Sequence, residues 1–202
     1  MHYAISYQAQ SHEYLTTTPR RHTIKHGLLR VTQGFVFIRL GKKEYVVEPG
    51  DTFWLPFDTL AAVTYTPNTQ LDRIEVSVRT QLPLVRQAGY IQPNPLLTAL
   101  LDRLSTVDDR QKQLPLLTVV RDELPSITPK LSESTFTKQL NQWLSDKTLR
   151  AQSSLPNEVQ LLLRVREARK QMLSGQARSQ VIKQWFDGNN ALFDNLEQAL
   201  VG

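Results

Sequence analysis

The chain has no cysteine, which excludes a disulfide framework and every chemistry that needs a thiolate. No apolar run approaches the ~20 residues that span a bilayer. The opening MHYAISYQAQSHEY lacks the basic and apolar regions of a secretory signal. The expectation is a soluble, cytoplasmic protein with no membrane partner. There is no glycine-rich phosphate loop and no serine-centred nucleophile elbow. Asp108-Asp109 and Asp122-Glu123 are adjacent carboxylates; neighbours in sequence diverge on a helix, so they read as solvated surface rather than an acid/base pair. A block of one charge is missing too. Arg121 to the end carries 11 Lys and Arg against 9 Asp and Glu, and the preceding 120 residues carry 13 against 10. The net charge of +5 and the pI of about 9.6 permit contact with a polyanion such as DNA without pointing to one surface for it.

What is present is organised around Arg39 to Pro56, RLGKKEYVVEPGDTFWLP. It reads as three strands parted by two tight turns, Gly41-Lys42-Lys43 and Pro49-Gly50-Asp51. Proline presets φ at one turn position and glycine takes positive φ at the next. The segments between, Tyr45-Val46-Val47 and Thr52-Phe53-Trp54-Leu55, are β-branched and aromatic, which suits a pleated, half-buried surface. Residues 1 to about 20 alternate weakly, as an edge strand and a loop would. Leu28 to Leu40 gives two strands broken at Gln33-Gly34. Ala61 to Tyr65 is another, and Leu71 to Arg79 alternates with Ile74, Val76 and Val78 on one face. About seven closely spaced strands imply a sandwich or a barrel. Arg30, Trp54 and Tyr65 are the polar-tipped or aromatic residues on its central strands and are the candidate ligand-binding residues. Arg30 stands in an apolar run and needs a partner or water.

The pattern changes after Pro83. Asn94 and Pro95 form a helix start, with Leu96, Leu97, Leu100, Leu101 and Leu104 at helical spacing. Gln113 to Glu123 predicts a second helix, ended by Pro125 and Pro129. Ser132 or Ser134 caps a third, through Leu144. The polar stretch Ser145 to Pro156 reads as a connection. Val159 to Leu173 is the strongest helix, stopped near Gly175. Ala177 to Phe186 and Ala191 to Leu200 follow, parted by Asp187-Gly188-Asn189-Asn190.

Two hairpins with a Pro-Gly-Asp corner resemble the middle of a cupin, a small jelly-roll β-barrel. A cupin-like sheet, then helices, then VREARKQML (Val165 to Leu173) leading into Ser174 to Gly202, resembles the AraC family of transcription regulators. The resemblance implies an α+β chain: a cupin-like β-barrel (jelly roll) over residues 1–82, a helical linker or dimerisation region over 83–150, and an all-α end with one helix-turn-helix-like unit over 151–202. It implies a ligand-sensing or dimerising barrel, a small-molecule effector, a homodimer and DNA contacts from Arg164, Arg166, Arg169, Lys170, Lys183 and Asn190. Where cupin enzymes place a metal-binding histidine this chain has Ala61, and His22 and His26 have no carboxylate close by in sequence. The expectation is no metal, no cofactor and no enzymatic activity. Only fourteen residues part Leu144 from Val159, too few for a first helix-turn-helix, and the last helix carries Asp194 and Glu197 with no Lys or Arg. Two readings follow: an AraC-type regulator with a reduced DNA-binding region, or a shortened module that acts through a small ligand or a partner protein.

Overall fold

The computed structural model describes residues 4–146, 148 and 150–202. Lys147 and Leu149, within the expected connection, and the first three residues of the expected edge strand lie outside the described residues. In chain order the strands are β1 (Ile5–His12), β2 (Thr16–Thr17), β3 (Arg21–His22), β4 (His26–Gln33), β5 (Val36–Leu40), β6 (Lys43–Val47), β7 (Thr52–Leu55), β8 (Leu60–Tyr65), β9 (Thr69–Val76) and β10 (Gly89–Ile91). The helices are α1 (Pro95–Ser105), α2 (Arg110–Glu123), α3 (Thr135–Ser145), α4 (Asn157–Leu173), α5 (Arg178–Phe186) and α6 (Asn190–Val201). Short 3₁₀ turns occur at Val78–Thr80, Leu124–Ser126 and Arg150–Gln152. No helix is long and apolar enough to cross a membrane, among the described residues.

The strands form two antiparallel sheets. The first runs β1-β9-β4-β7-β10; the second runs β2-β8-β5-β6, with β3 also on β8. The expected closed barrel is replaced by an open two-sheet stack, because the sheet edges are consumed otherwise. β2 and β3 are two residues long. The outer backbone of β6 is occupied by α3: the Glu44 N–H donates to Asn141 Oδ1 at 2.8 Å, Asn141 Nδ2 donates to the Glu44 carbonyl at 2.8 Å, and the Val46 N–H donates to Thr137 Oγ1 at 3.0 Å. On the first sheet, the outer groups of β10 bond Lys130 in both directions, each at 2.9 Å. Gly89 permits that approach. At φ +155° a Cβ there would lie 2.5 Å from the Lys130 carbonyl carbon.

Three apolar layers result. Leu29, Val31, Val36, Ile38, Phe53 and Leu71 fill the space between the sheets. Leu28, Trp54, Ile74 and Val76, the alternate residues of the same strands, face α1 and α2. Phe37 and Val46, the alternates on the second sheet, join Leu140, Trp143, Leu163, Ile182 and Phe193 under α3 to α6. Because both faces of the central strands are covered, runs such as LLRV and FVFI lack polar alternation. The stretch 151–202 thus shares its core with the sheet.

Local signals explain most helix ends. Asn94 Oδ1 accepts from the Leu97 N–H at 2.7 Å with Pro95 at the first position, and Ser134 Oγ accepts from the Thr137 N–H at 3.1 Å. α2 begins at Arg110, before the expected Gln113, because Asp109 caps it through the Gln111 N–H at 2.9 Å. Pro115 is accommodated inside its second turn.

Candidate functional site

A cavity of about 490 Å³ opens between the second sheet and the helices packed on it. Its floor follows from strand alternation. Phe37 pairs with Val46 and Thr64, and Arg39 pairs with Glu44 and Ala62, so all of these side chains share the outer face. The apolar end of that face lies under α3 and α4. The polar end, Arg39, Glu44, Ala62 and Thr64, lines the cavity. Thr17, Thr18, Pro19 and Arg20 form one wall, and Arg166, Glu167, Arg169, Lys170 and Leu173 of α4 form the opposite one. The Leu15 N–H donates to the Leu200 carbonyl at 2.6 Å, pinning the last turn of α6 beside the opening.

The cavity is strongly cationic. Five basic side chains line it against two carboxylates, Glu44 and Glu167, and both carboxylates are committed to Arg166. Arg166 is 7% exposed. Its Nη1 donates to Glu44 Oε2 at 2.7 Å and its Nη2 to Glu44 Oε1 at 3.1 Å. Nε and Nη2 both donate to Glu167 Oε1, at 3.1 and 2.9 Å. Burial opposes the charge on Arg166, but Glu44 and Glu167 hold its pKa above the ordinary arginine value. Burial also works against the Glu167 carboxylate, yet Arg166 and then Lys170 hold its pKa below the ordinary glutamate value. Lys170 Nζ lies 3.3 Å from Glu167, and Arg169 reaches Glu197 of α6 at 2.5 Å.

Two cations are left over. Arg20 and Arg39 make no ion pair among the described residues, and Arg39 Nε is buried without a hydrogen-bond partner. A buried guanidinium N–H with no acceptor costs about 1–3 kcal/mol in desolvation, and the charge of both arginines is left without a carboxylate in the cavity lining. The remaining lining combines apolar Leu15, Pro19, Ala62, Leu173 and Val201 with the threonines Thr17, Thr18 and Thr64.

The structure does not bring the expected ligand residues together. Arg30 faces α1, donating through Nη2 and Nε to Asp72 at 2.7 and 3.0 Å and through Nη1 to Asp102 at 2.5 Å. The partner that Arg30 required is therefore part of the protein. Trp54 is fully buried beneath α1 and α2, with its indole N–H donating to the Val85 carbonyl at 2.8 Å. Tyr65 lies between the sheets, stacked on His12 at 3.8 Å. His22 meets Asp58, and His26 Nδ1 accepts from the Phe57 N–H at 3.2 Å. No three His, Asp or Glu side chains gather as a metal site, among the described residues.

The expected DNA-contacting residues divide. All of Arg166, Arg169 and Lys170 line the cavity, Arg166 buried, Arg169 half-buried and Lys170 exposed. Arg164 is half-buried, while Lys183 and Asn190 are exposed on α5 and α6. The acidic residues of α6 pair within the bundle: Asp194 with Arg178 and Glu197 with Arg169. Sequence reasoning missed Arg20, Arg39 and Glu44. The signal that singled out Arg30, an arginine in an apolar strand run, applies equally to Arg39 in FVFIRL.

No family model matches the chain, and no curated protein sequence matches it. Among solved structures it is similar to ToxT from Vibrio cholerae, at 11% identity over 98% of this chain and 94% of that one, with a TM-score of 0.39. It is similar to an apo ToxT variant from Vibrio cholerae strain SCE256, at 10% identity over 98% and 94%, with a TM-score of 0.42. It is also similar to a cupin superfamily protein from Desulfitobacterium hafniense, at 14% identity over 37% of this chain and 68% of that one, with a TM-score of 0.34.

Proposed function

We propose that the chain is a ligand-responsive binding module with the AraC-like order of parts, and that it takes a small organic anion in the cavity between the second sheet and α4. The observation that carries this reading is Arg39, a strand arginine of the cavity lining that makes no ion pair among the described residues and stands in a cavity that already holds a surplus of positive charge. The volume falls within the usual range for small-molecule sites. Leu15, Ala62 and Val201 offer an apolar surface beside the cations, so the fitting ligand carries a carboxylate or phosphate on an apolar body. α4 serves this site rather than a DNA backbone. Its central arginine is buried, Arg169 pairs with Glu197 and Lys170 with Glu167, whereas phosphate contact needs exposed cations free to displace counterions. Of the two readings drawn from the sequence, this supports the module that acts through a ligand or a partner.

Melting the protein against a panel of straight-chain carboxylates and phosphate monoesters tests the proposal. A ligand of the cavity raises Tm in a concentration-dependent way, and the rise disappears in Arg39→Met. Equal melting across the whole panel at millimolar concentration, or a rise that Arg39→Met retains, removes the basis for the reading.

A further inference from the structure

Among the described residues four edges bound the two sheets, and three of them are short or covered. β2 and β3 are only two residues long. β6 is capped by Asn141 and Thr137 of α3, with the Tyr90 hydroxyl donating to the Val46 carbonyl at 2.6 Å. β10 is bonded to Lys130. The fourth edge is β1, eight residues long and paired among the described residues on one side only, with β9; α2 packs on the face that carries Ile5 and Tyr7.

The outward groups of β1 follow from the ladder. The Ser77 N–H donates to the Ala4 carbonyl at 2.8 Å, so Ala4 turns its backbone toward β9. Antiparallel pairing alternates hydrogen-bonded and non-bonded residues. Ser6, Gln8 and Gln10 therefore bond β9, and the N–H and C=O of Ile5, Tyr7, Ala9 and Ser11 point away from the sheet. None of these outward groups has a hydrogen-bond partner among the described residues. Gln8, Ala9 and Ser11 are exposed.

Natural edges of this length are usually blunted by charge, proline or a bulge. β1, ISYQAQSH, has no Asp, Glu, Lys, Arg or Pro, and its register with β9 runs through eight consecutive pairs without a shift. We propose that β1 is a pairing edge whose occupant is β1 of a second copy, joined antiparallel about a two-fold axis. The dyad at Gln8 sets Ile5 against Ser11 of the second copy and Tyr7 against its Ala9. All four outward residues are then used, in about eight ladder bonds. A charged strand would oppose like charges in such a pairing; this one opposes glutamine to glutamine and serine to glutamine. Gln10 Nε2 already donates to Gln8 Oε1 at 3.2 Å within one copy, so these amides serve as mutual donors and acceptors. The first sheet becomes the half of a ten-stranded sheet continuous through both copies.

The test uses the full chain in sedimentation equilibrium over a wide concentration range. The wild type is expected to sediment as a reversible dimer. Ala9→Pro removes an outward N–H and leaves the β1–β9 bonds in place, so it is expected to be monomeric with an unchanged near-UV spectrum. Gln8→Lys keeps the backbone and opposes two like charges, weakening dimerisation by about fivefold. Because the chain lacks cysteine, Gln8→Cys provides a single thiol, and mild oxidation should join two copies through it, as the short Cα separation of a non-bonded pair allows. Lys183→Cys, on α5, should stay monomeric on a denaturing gel. A wild type that stays monomeric at the highest concentration overturns the proposal. So does a dimer that Gln8→Lys leaves at full strength and Gln8→Cys fails to cross-link, which would place the contact elsewhere, such as on α1 and α2. If Ala9→Pro does not fold, the two Gln8 variants decide.

Discussion

Arg166 of α4 holds both carboxylate oxygens of Glu44 of β6, at 2.7 and 3.1 Å, across 122 positions of sequence. Both side chains are buried. This pair ties the helical end of the chain to the second sheet and forms part of the cavity lining.

The pair is costly to break from one side. Removing one partner of a buried ion pair leaves an uncompensated charge, which costs roughly 3–5 kcal/mol. Glu44→Ala leaves Arg166 with Glu167 as its remaining carboxylate, so a loss of about 3 kcal/mol in urea unfolding is expected. The double variant Glu44→Leu/Arg166→Met is expected to lose less than Glu44→Ala, because an apolar pair of similar volume replaces the buried Arg166–Glu44 charges while Glu167 keeps Lys170. A double variant as unstable as the sum of its singles would mean the two residues act independently.

Asn141 closes the edge of β6 with one bond to the Glu44 N–H and one from its own amide to the Glu44 carbonyl. Asn141→Ala leaves both backbone groups without their partner. The expected loss is about 2 kcal/mol, with aggregation on standing because the strand edge is opened. Light scattering beside denaturant unfolding checks both effects.

Acid should weaken the fold in two stages. Burial and then Arg73 hold the His12 pKa below 6.5, and burial and then Arg86 do the same at His26. The unfolded chain therefore binds these protons first, and stability declines as pH falls below 6.5 toward the folded values. Glu167 has a lowered pKa, so its contribution is present above the ordinary glutamate value and is lost as pH falls through the folded one. Urea midpoints at pH 7.5, 5.5, 4.5 and 3 measure both stages. His12→Phe, which retains a ring against Tyr65, should flatten part of the first.

DNA affinity should not depend on α4. In fluorescence anisotropy on random duplex DNA across a salt series, Arg169→Gln is expected to leave any binding unchanged, because Arg169 already pairs with Glu197. A tenfold loss in that variant, with a smaller salt slope, would return α4 to the role first expected of it.

Much of this architecture was legible locally. The Pro49-Gly50-Asp51 corner, the Asn94 and Ser134 caps and the periodicity of α4 depend on residues a few positions apart, and each lies where the pattern placed it. β10 is three residues long and carried too little pattern to read. The open stack replaced a barrel because edge closure depends on α3 and Lys130, side-chain and loop contacts formed across long separations. The arginines of α4 read as a solvated or DNA-facing surface because nothing near them in sequence reveals Glu44. The cavity depends on the same separation: Arg39, Arg20 and Arg166 come from three distant stretches.

Calorimetric titration of the strongest carboxylate or phosphate ligand from the melting panel tests the central claim most directly, run in parallel on the wild type, Arg39→Met and Lys183→Ala. The expected result is one site per chain, unchanged in Lys183→Ala and weakened at least about tenfold in Arg39→Met, the scale of a lost hydrogen bond to a charged group. An Arg39→Met protein that is folded and binds with wild-type affinity would contradict the account.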